Sequence, residues 1–277
     1  MLKLMYITNR PEIALIAEDA GVDRIFVDME FIGKDARQAG LDTVKSHHTV
    51  QDVAAVARAV SSAEVLARIN PIHGALPDYP SSEEEIDAVI EAGADILMLP
   101  YFKTVEEVRT FARLADGRVR TMLLLETPEA AEQVDEILCV PGIDEIHIGL
   151  NDLSIGYGRR FLFEILADGT VEALCLKFRE KGVPFGFGGI AAIGKGTLPA
   201  EYIIKEHYRL GSGCVILSRS FCDVEKMPDI DTIRETFQQG VRAIRDLERE
   251  CETHSRFFFD SQRELKRLVE QITGGKE

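Results

Sequence analysis

The side chains best suited to chemistry in this sequence stand at the ends of apolar runs. One run ends Asp28-Met29-Glu30, the next Arg68-Ile69-Asn70-Pro71, a third Leu99-Pro100-Tyr101. Two more end Leu125-Glu126-Thr127-Pro128 and Gly149-Leu150-Asn151-Asp152. If the runs are neighbouring parallel strands, four carboxylates and one guanidinium converge on one mouth. Crowded carboxylates repel unless a cation neutralises them, and hard oxygen ligands suit Mg2+ or Mn2+. Each acid also has an ordinary structural role available. Glu126 could face the dipole of a following helix, and Asp152 could be the N-cap of a helix starting at Leu153. Their joint placement at the ends of consecutive runs favours a shared divalent cation over either role.

The elements that must hold these residues follow from periodicity. Short apolar, β-branched runs occupy 2–8, 24–28, 64–69, 95–99, 118–125, 145–149, 184–187 and 213–218. Between them lie helical patterns at 11–20, 49–61, 82–92, 104–115, 128–138, 170–180 and 199–209. Gly21, Gly93, Gly182 and Gly211 follow four of these helices, where the backbone turns left-handed. The strands are apolar throughout rather than alternating, as parallel strands covered by helices are. Eight βα units predict an α/β fold, a (β/α)8 TIM barrel whose active site sits at the C-terminal ends of the strands. A doubly wound sheet is disfavoured because no G-x-G-x-x-G follows the first strand. Residues 1–225 are expected to form the barrel, and 226–277 an extended C-terminal helical tail that completes it and supplies an oligomer interface. Ile233, Phe237, Val241, Ile244 and Leu247 recur at helical spacing there, and Phe257-Phe258-Phe259 is a large apolar cluster.

Composition narrows the partners. With 32 Lys and Arg against 47 Asp and Glu among 277 residues, the net charge is −15, and nucleic acid or an anionic membrane surface is a poor partner. Five cysteines without a C-x-x-C argue against a disulfide framework or a zinc site. The N-terminus lacks the apolar core of a signal peptide, and no run approaches membrane-spanning length. A cytoplasmic protein is expected.

The segment LLLETPEAAEQVDEILCVPGIDEIHIGLNDLSIGYG resembles the signature of the HpcH/HpaI aldolase and citrate lyase family. GVDRIFVDME, EVLARINP and EAGADILMLPYFKTVEEVR add to the resemblance, which covers roughly residues 10–220. It implies a TIM barrel of the phosphoenolpyruvate/pyruvate type that makes or breaks C–C bonds beside a pyruvate enolate. By the same resemblance, Glu126 and Asp152 would be the protein ligands of Mg2+ or Mn2+, which a 2-oxo acid would chelate. Arg68 would stabilise the developing enolate charge, and the backbone N–H groups around Gly149, Leu150 and Asn151 would hold the substrate carboxylate. His48, with His47 second, would be the acid–base group, assisted by Glu91. Asp28 and Glu30 would order metal-bound waters. Small-molecule partners would be a 2-oxo acid and an aldehyde, and the assembly a homo-oligomer, a trimer or hexamer.

The sequence departs from the family pattern in places. Leu124 stands where the family has Gln, Leu150 replaces the Pro of G-P-x-D, and residues 31–46 are inserted before His47-His48. Lys34, Arg37 and Lys45 in that insertion could meet an acidic or phosphorylated acceptor, and the Gly-rich 186–196 could contact phosphate or carboxylate. A CoA-thioester lyase of the citrate lyase beta type and a non-catalytic barrel with a binding or assembly role are the alternative readings. A Schiff-base aldolase would need a lysine at a strand end, and only Lys103 is near.

Overall fold

Successive residues of a strand point to opposite faces of its sheet, and here the two faces carry different chemistry. In the computed structural model, which describes residues 1–34, 48–253 and 257–274, eight parallel strands pair in sequence order and close, β8 against β1. They are β1 (Lys3–Ile7), β2 (Arg24–Asp28), β3 (Glu64–Arg68), β4 (Ile96–Leu99), β5 (Arg120–Leu125), β6 (Glu145–Ile148), β7 (Phe185–Ile190) and β8 (Cys214–Leu217). The outward set packs with the helices into one continuous core that includes Ile25, Val27, Leu97, Leu99, Leu123 and Val215.

The inward set is layered. At the N-terminal end Arg24, fully buried, binds Glu145 through both terminal nitrogens at 2.8 and 2.6 Å and Glu64 through Nε at 2.9 Å. Lys3 and Arg120 complete this ionic plug against Glu64. Above it lies a dry layer of Met5, Phe26, Leu66, Met98, Met122 and Leu124. Above that, at the C-terminal end, charge returns with Asp28 and Arg68.

The helices start where the chain leaves this end. They are α1 (Pro11–Asp19), α2 (Val50–Ala59), α3 (Ser82–Glu91), α4 (Val105–Ala115), α5 (Pro128–Glu132), α6 (Val134–Ile137), α7 (Leu150–Gly156), α8 (Glu164–Ala167), α9 (Thr170–Lys181) and α10 (Ala200–Leu210). Thr49 with Asp52, Ser81 with Glu84 and Thr104 with Glu107 form reciprocal capping boxes, which fix the first turns of α2, α3 and α4 beside the barrel mouth.

The tail forms two helices, α11 (Ile230–Thr253) and α12 (Phe257–Gly274). The first packs on α1 and α10, the second on α10 and α8. Its apolar stripe is used within the chain: Phe237, Ile244, Leu265 and Val269 are all buried, while Phe259 is 78% exposed. No helix among the described residues is long and apolar enough to cross a membrane.

Candidate active site

Arg68 ends β3 and Asp28 ends β2, and the strand register sets them side by side. The Asp28 carboxylate accepts two parallel bonds from Arg68, from Nε and a terminal nitrogen, each 2.7 Å. The remaining terminal nitrogen lies 3.4 Å from Glu30, and buried Lys34 reaches Asp28 at 2.9 Å and Glu30 at 3.6 Å. Two cations and two anions thus neutralise each other out of water, which is what makes the burial tolerable. Burial disfavours the Asp28 carboxylate, but Arg68 and then Lys34 outweigh it and hold the carboxyl well below its usual range. Arg68 is held charged by Asp28 and Glu30 against its own desolvation. The fork that fixes its Nε leaves a rigid, preoriented cation at the mouth.

His48 stands immediately before the Thr49 cap. Its Nδ1 accepts the backbone N–H of Asp28 at 3.0 Å, so the neutral ring carries its proton on Nε2. Burial lowers its pKa against the pull of Asp28 and Asp52, which favours that neutral form.

Glu126 follows β5 and is buried, with Oε1 accepting the backbone N–H of Tyr101 at 3.0 Å. Tyr101 holds a left-handed φ of 48° to deliver that bond, a strained conformation of the kind that concentrates at functional sites. Gly149 permits the carboxylate its position: a Cβ there would lie 2.7 Å from Glu126 Oε2. Asp152 is in the first turn of α7, with Asn151 Nδ2 donating to its Oδ1 at 3.0 Å. Glu126 and Asp152 together line two adjoining cavities, one of about 410 Å3 reaching Tyr101 and Lys103, the other of about 200 Å3 reaching Arg68, Asn151 and Gly188. No group of three or more Asp, Glu, His or Cys among the described residues forms a metal cage. Two carboxylates beside open space nonetheless suit Mg2+ or Mn2+, which keep water or substrate in the other positions.

Neither acid is a helix cap. Thr127, not Glu126, caps α5. Helix α7 begins at Leu150 with Gly149 in the N-cap position, so Asp152 is not a cap.

Several expectations need correction. Glu91 is exposed at the far end of α3, which runs back to the N-terminal side of the barrel, and it does not approach His48. The Gly149 N–H donates to the Leu125 carbonyl at 2.9 Å and is not available to a carboxylate. Leu150 and Asn151 keep N–H groups without an intrahelical partner. Lys34 is committed to Asp28 and Glu30 rather than open to an acidic acceptor. Lys103 pairs with Glu129 at 2.9 Å, and that bond raises its pKa, the opposite of what a Schiff-base amine requires. In the Gly-rich strand, Gly186 and Gly188 make room for Cys214, His147 and Leu150, each of which a Cβ would strike. His47, Arg37 and Lys45 lie outside the described residues.

Two features were not singled out from sequence. His147 is fully buried beneath Arg68 and Glu126, with Nε2 3.0 Å from the Gly188 carbonyl, and burial pushes its pKa down to about 4. Glu85, buried in the first turns of α3, accepts three bonds on Oε1: from the Asn70 backbone N–H, the Asn70 amide and the Tyr79 hydroxyl, at 3.1, 2.9 and 3.0 Å. Its Oε2 has no hydrogen-bond partner. The apolar spacing of α3 hides Glu85 as one of four consecutive polar residues, Ser82-Glu83-Glu84-Glu85, and only packing shows which of them turns inward.

A closed (β/α)8 barrel with acids, an arginine and a histidine at its C-terminal mouth defines the class. Residues 3–161 match the model of the HpcH/HpaI aldolase/citrate lyase family, and the chain belongs to that family. It is 26% identical over 133 residues, 36% of this chain, to the hydroxypyruvate/pyruvate aldolase of Sagittula stellata, and spans about half (53%) of that relative's length. Its fold is similar to that of an HpcH/HpaI aldolase from Desulfitobacterium hafniense (TM-score 0.59, 18% identity, 88% of this chain and 93% of that one). It is also similar to a citrate lyase beta subunit from M. tuberculosis solved with oxaloacetate and magnesium (TM-score 0.57, 15% identity, 86% and 97%).

Proposed function

We propose that this chain is a divalent-metal-dependent carbon–carbon lyase that cleaves or forms a bond beside the enolate of a pyruvate-type 2-oxo acid. The observation that carries the reading is the shared lining: Arg68, Glu126 and Asp152 face one cavity at the strand ends. Family membership and the aldolase relative support it. Glu126 and Asp152 would hold Mg2+ or Mn2+, which when bound polarises the 2-oxo acid. Arg68, preoriented by Asp28, stabilises the oxygen that becomes negative as the enolate forms, an electrostatic contribution in a desolvated site. The unpaired N–H groups of Leu150 and Asn151 face the substrate carboxylate. In cleavage the acceptor's hydroxyl gives up its proton as the C–C bond breaks, releasing an aldehyde; His48, whose Nε2 already carries a proton, takes it only on Nδ1 after that atom has released the Asp28 N–H. The enolate left behind takes a proton on carbon and becomes pyruvate. A neutral imidazole is the correct starting form for that proton transfer.

Methyl-proton exchange of pyruvate in D2O reports enolisation without knowledge of the acceptor. EDTA should abolish it and Mn2+ restore it. Glu126→Gln and Asp152→Asn should each lower Mn2+ retention in equilibrium dialysis. Exchange that persists in EDTA, or unchanged Mn2+ stoichiometry in both variants, overturns the metal assignment.

A further inference from the structure

Strand β7 is irregular where it forms a wall of the site. Gly186 pairs with Cys214 and Gly189 with Ile216, so Phe187 and Gly188 stand opposite Val215 alone. Such a β-bulge bends and re-aims its strand, and bulges concentrate beside active sites. Gly188 takes a left-handed φ of 55° here, which glycine adopts without steric cost. On the outer side Phe187 anchors the bulge, its ring stacked on the buried His207 of α10 with centroids 3.8 Å apart.

On the inner side the bulge is held by His147. This residue of β6 is fully buried and aims Nε2 at the Gly188 carbonyl, 3.0 Å away. A carbonyl only accepts, so Nε2 carries the proton and donates it. Nδ1 is then the acceptor, with the Cys214 thiol 3.7 Å from it. Both ring nitrogens are committed, which fixes the ring. His147, Gly188 and Gly189 line the same cavity as Arg68, Glu126 and Asp152. Gly188 also bears directly on Leu150, the first residue of α7: a Cβ on Gly188 would come within 2.5 Å of Leu150 Cδ1. A displacement of the Gly188 backbone is therefore passed to the first turn of α7, in a packed interior that transmits strain.

We infer that His147 is a positioning residue for the 2-oxo acid: it pins the β7 bulge and, through Gly188 and Leu150, sets the first turn of α7 that receives the substrate carboxylate. This role rests on the function proposed above, and the test separates the two. Its effect falls on substrate binding more than on the chemical step, because Arg68 stands on β3, away from the path through β7 and α7.

Oxalate, a planar dianion shaped like the pyruvate enolate, reports binding without turnover. At saturating Mn2+, His147→Phe keeps a ring of similar size without the donor and should weaken oxalate in calorimetric titration by about tenfold. The KM of pyruvate in D2O exchange should rise in the same proportion, with kcat within about threefold of wild type. His147→Gln, whose amide places an N–H where Nε2 stands, should bring both constants back to within about threefold of wild type. Leu150→Ala removes the relay without touching the buried bond, and should weaken oxalate by itself. Added to His147→Phe it should cost little more, since both act along one path. Leu150→Ala decides the case if His147→Phe does not fold. Wild-type oxalate affinity in either single variant, a fall confined to kcat, no rescue by His147→Gln, or full additivity in the double variant overturns the role. A wild-type protein that neither exchanges pyruvate nor binds oxalate overturns the proposed function itself, and the role falls with it.

Discussion

At the scale of single residues, the site separates two kinds of work. On the proposed function Arg68 acts on the enolate, so Arg68→Ala should lose pyruvate exchange and C–C cleavage together, by about 10²–10³, the usual cost of one preorganised donor. On the same proposal His48 acts on the acceptor's hydroxyl proton, a step absent from enolisation alone. His48→Ala should slow cleavage by about 10²–10⁴ and leave most of the exchange. Parallel kinetics of both variants check the division, and equal losses in both assays would make His48 structural. His147 also gives stability a pH signature. Its pKa is about 4 in the fold and near 6.5 when unfolded. Above pH 6.5 both states are neutral and the residue adds no pH dependence. As the pH falls, the unfolded chain takes up a proton that the fold refuses, so stability declines by about 3 kcal/mol between pH 6.5 and 4. Urea midpoints at pH 7, 6 and 5 should fall by at least this slope, and His147→Gln should reduce it, leaving the share of buried His207, whose pKa burial also lowers.

At the scale of elements, the turn from β6 into α7 decides where Glu126 and Asp152 stand. Gly149 has an ordinary φ of −79°, so its absence of a side chain is needed for space and not for backbone freedom. In Gly149→Ala the new Cβ would strike Glu126 at both Cβ and Oε2, 2.7 Å away. The expected result is a stability loss of about 1–3 kcal/mol from overpacking, together with weaker Mn2+ binding. Thermal denaturation and Mn2+ titration of the same sample measure both. Wild-type behaviour in both would mean that the carboxylate moves aside without consequence.

At the scale of the whole molecule, the barrel assigns stability and chemistry to opposite ends. The Arg24, Glu64 and Glu145 plug closes the N-terminal end and is separated from Arg68 by a dry layer. Arg24→Met should leave the half-buried Glu64 and Glu145 to Lys3 and Arg120 alone and cost about 1–3 kcal/mol. The protein that remains folded should enolise pyruvate at the wild-type rate. Chemical denaturation beside D2O exchange tests the separation, and a matching fall in exchange would show the two ends to be coupled. The C-terminal helices cover α1, α8 and α10 of their own barrel, which accounts for the tail's apolar stripe within one chain.

Much of this was legible in the residue order because strand and helix periods are local. Each of the eight runs, the glycines after the helices and the Thr and Ser caps needs only its neighbours to be recognised. The carboxylates at strand ends were equally plain, since a parallel barrel puts every strand's C-terminus on one side. The resemblance points to Arg68, Glu126 and Asp152, which stand at or just beyond such strand ends. It failed at Glu91, because a helix returns the chain to the opposite face and similarity of sequence does not say which face a helix terminus reaches. The pairing of Lys34 with Asp28, the burial of His147 and the inward turn of Glu85 were decided only by tertiary structure. Each depends on which charges and apolar walls meet across elements 6 to 40 positions apart or more. Desolvation, and with it the charge state of these groups, exists only once those elements close around them.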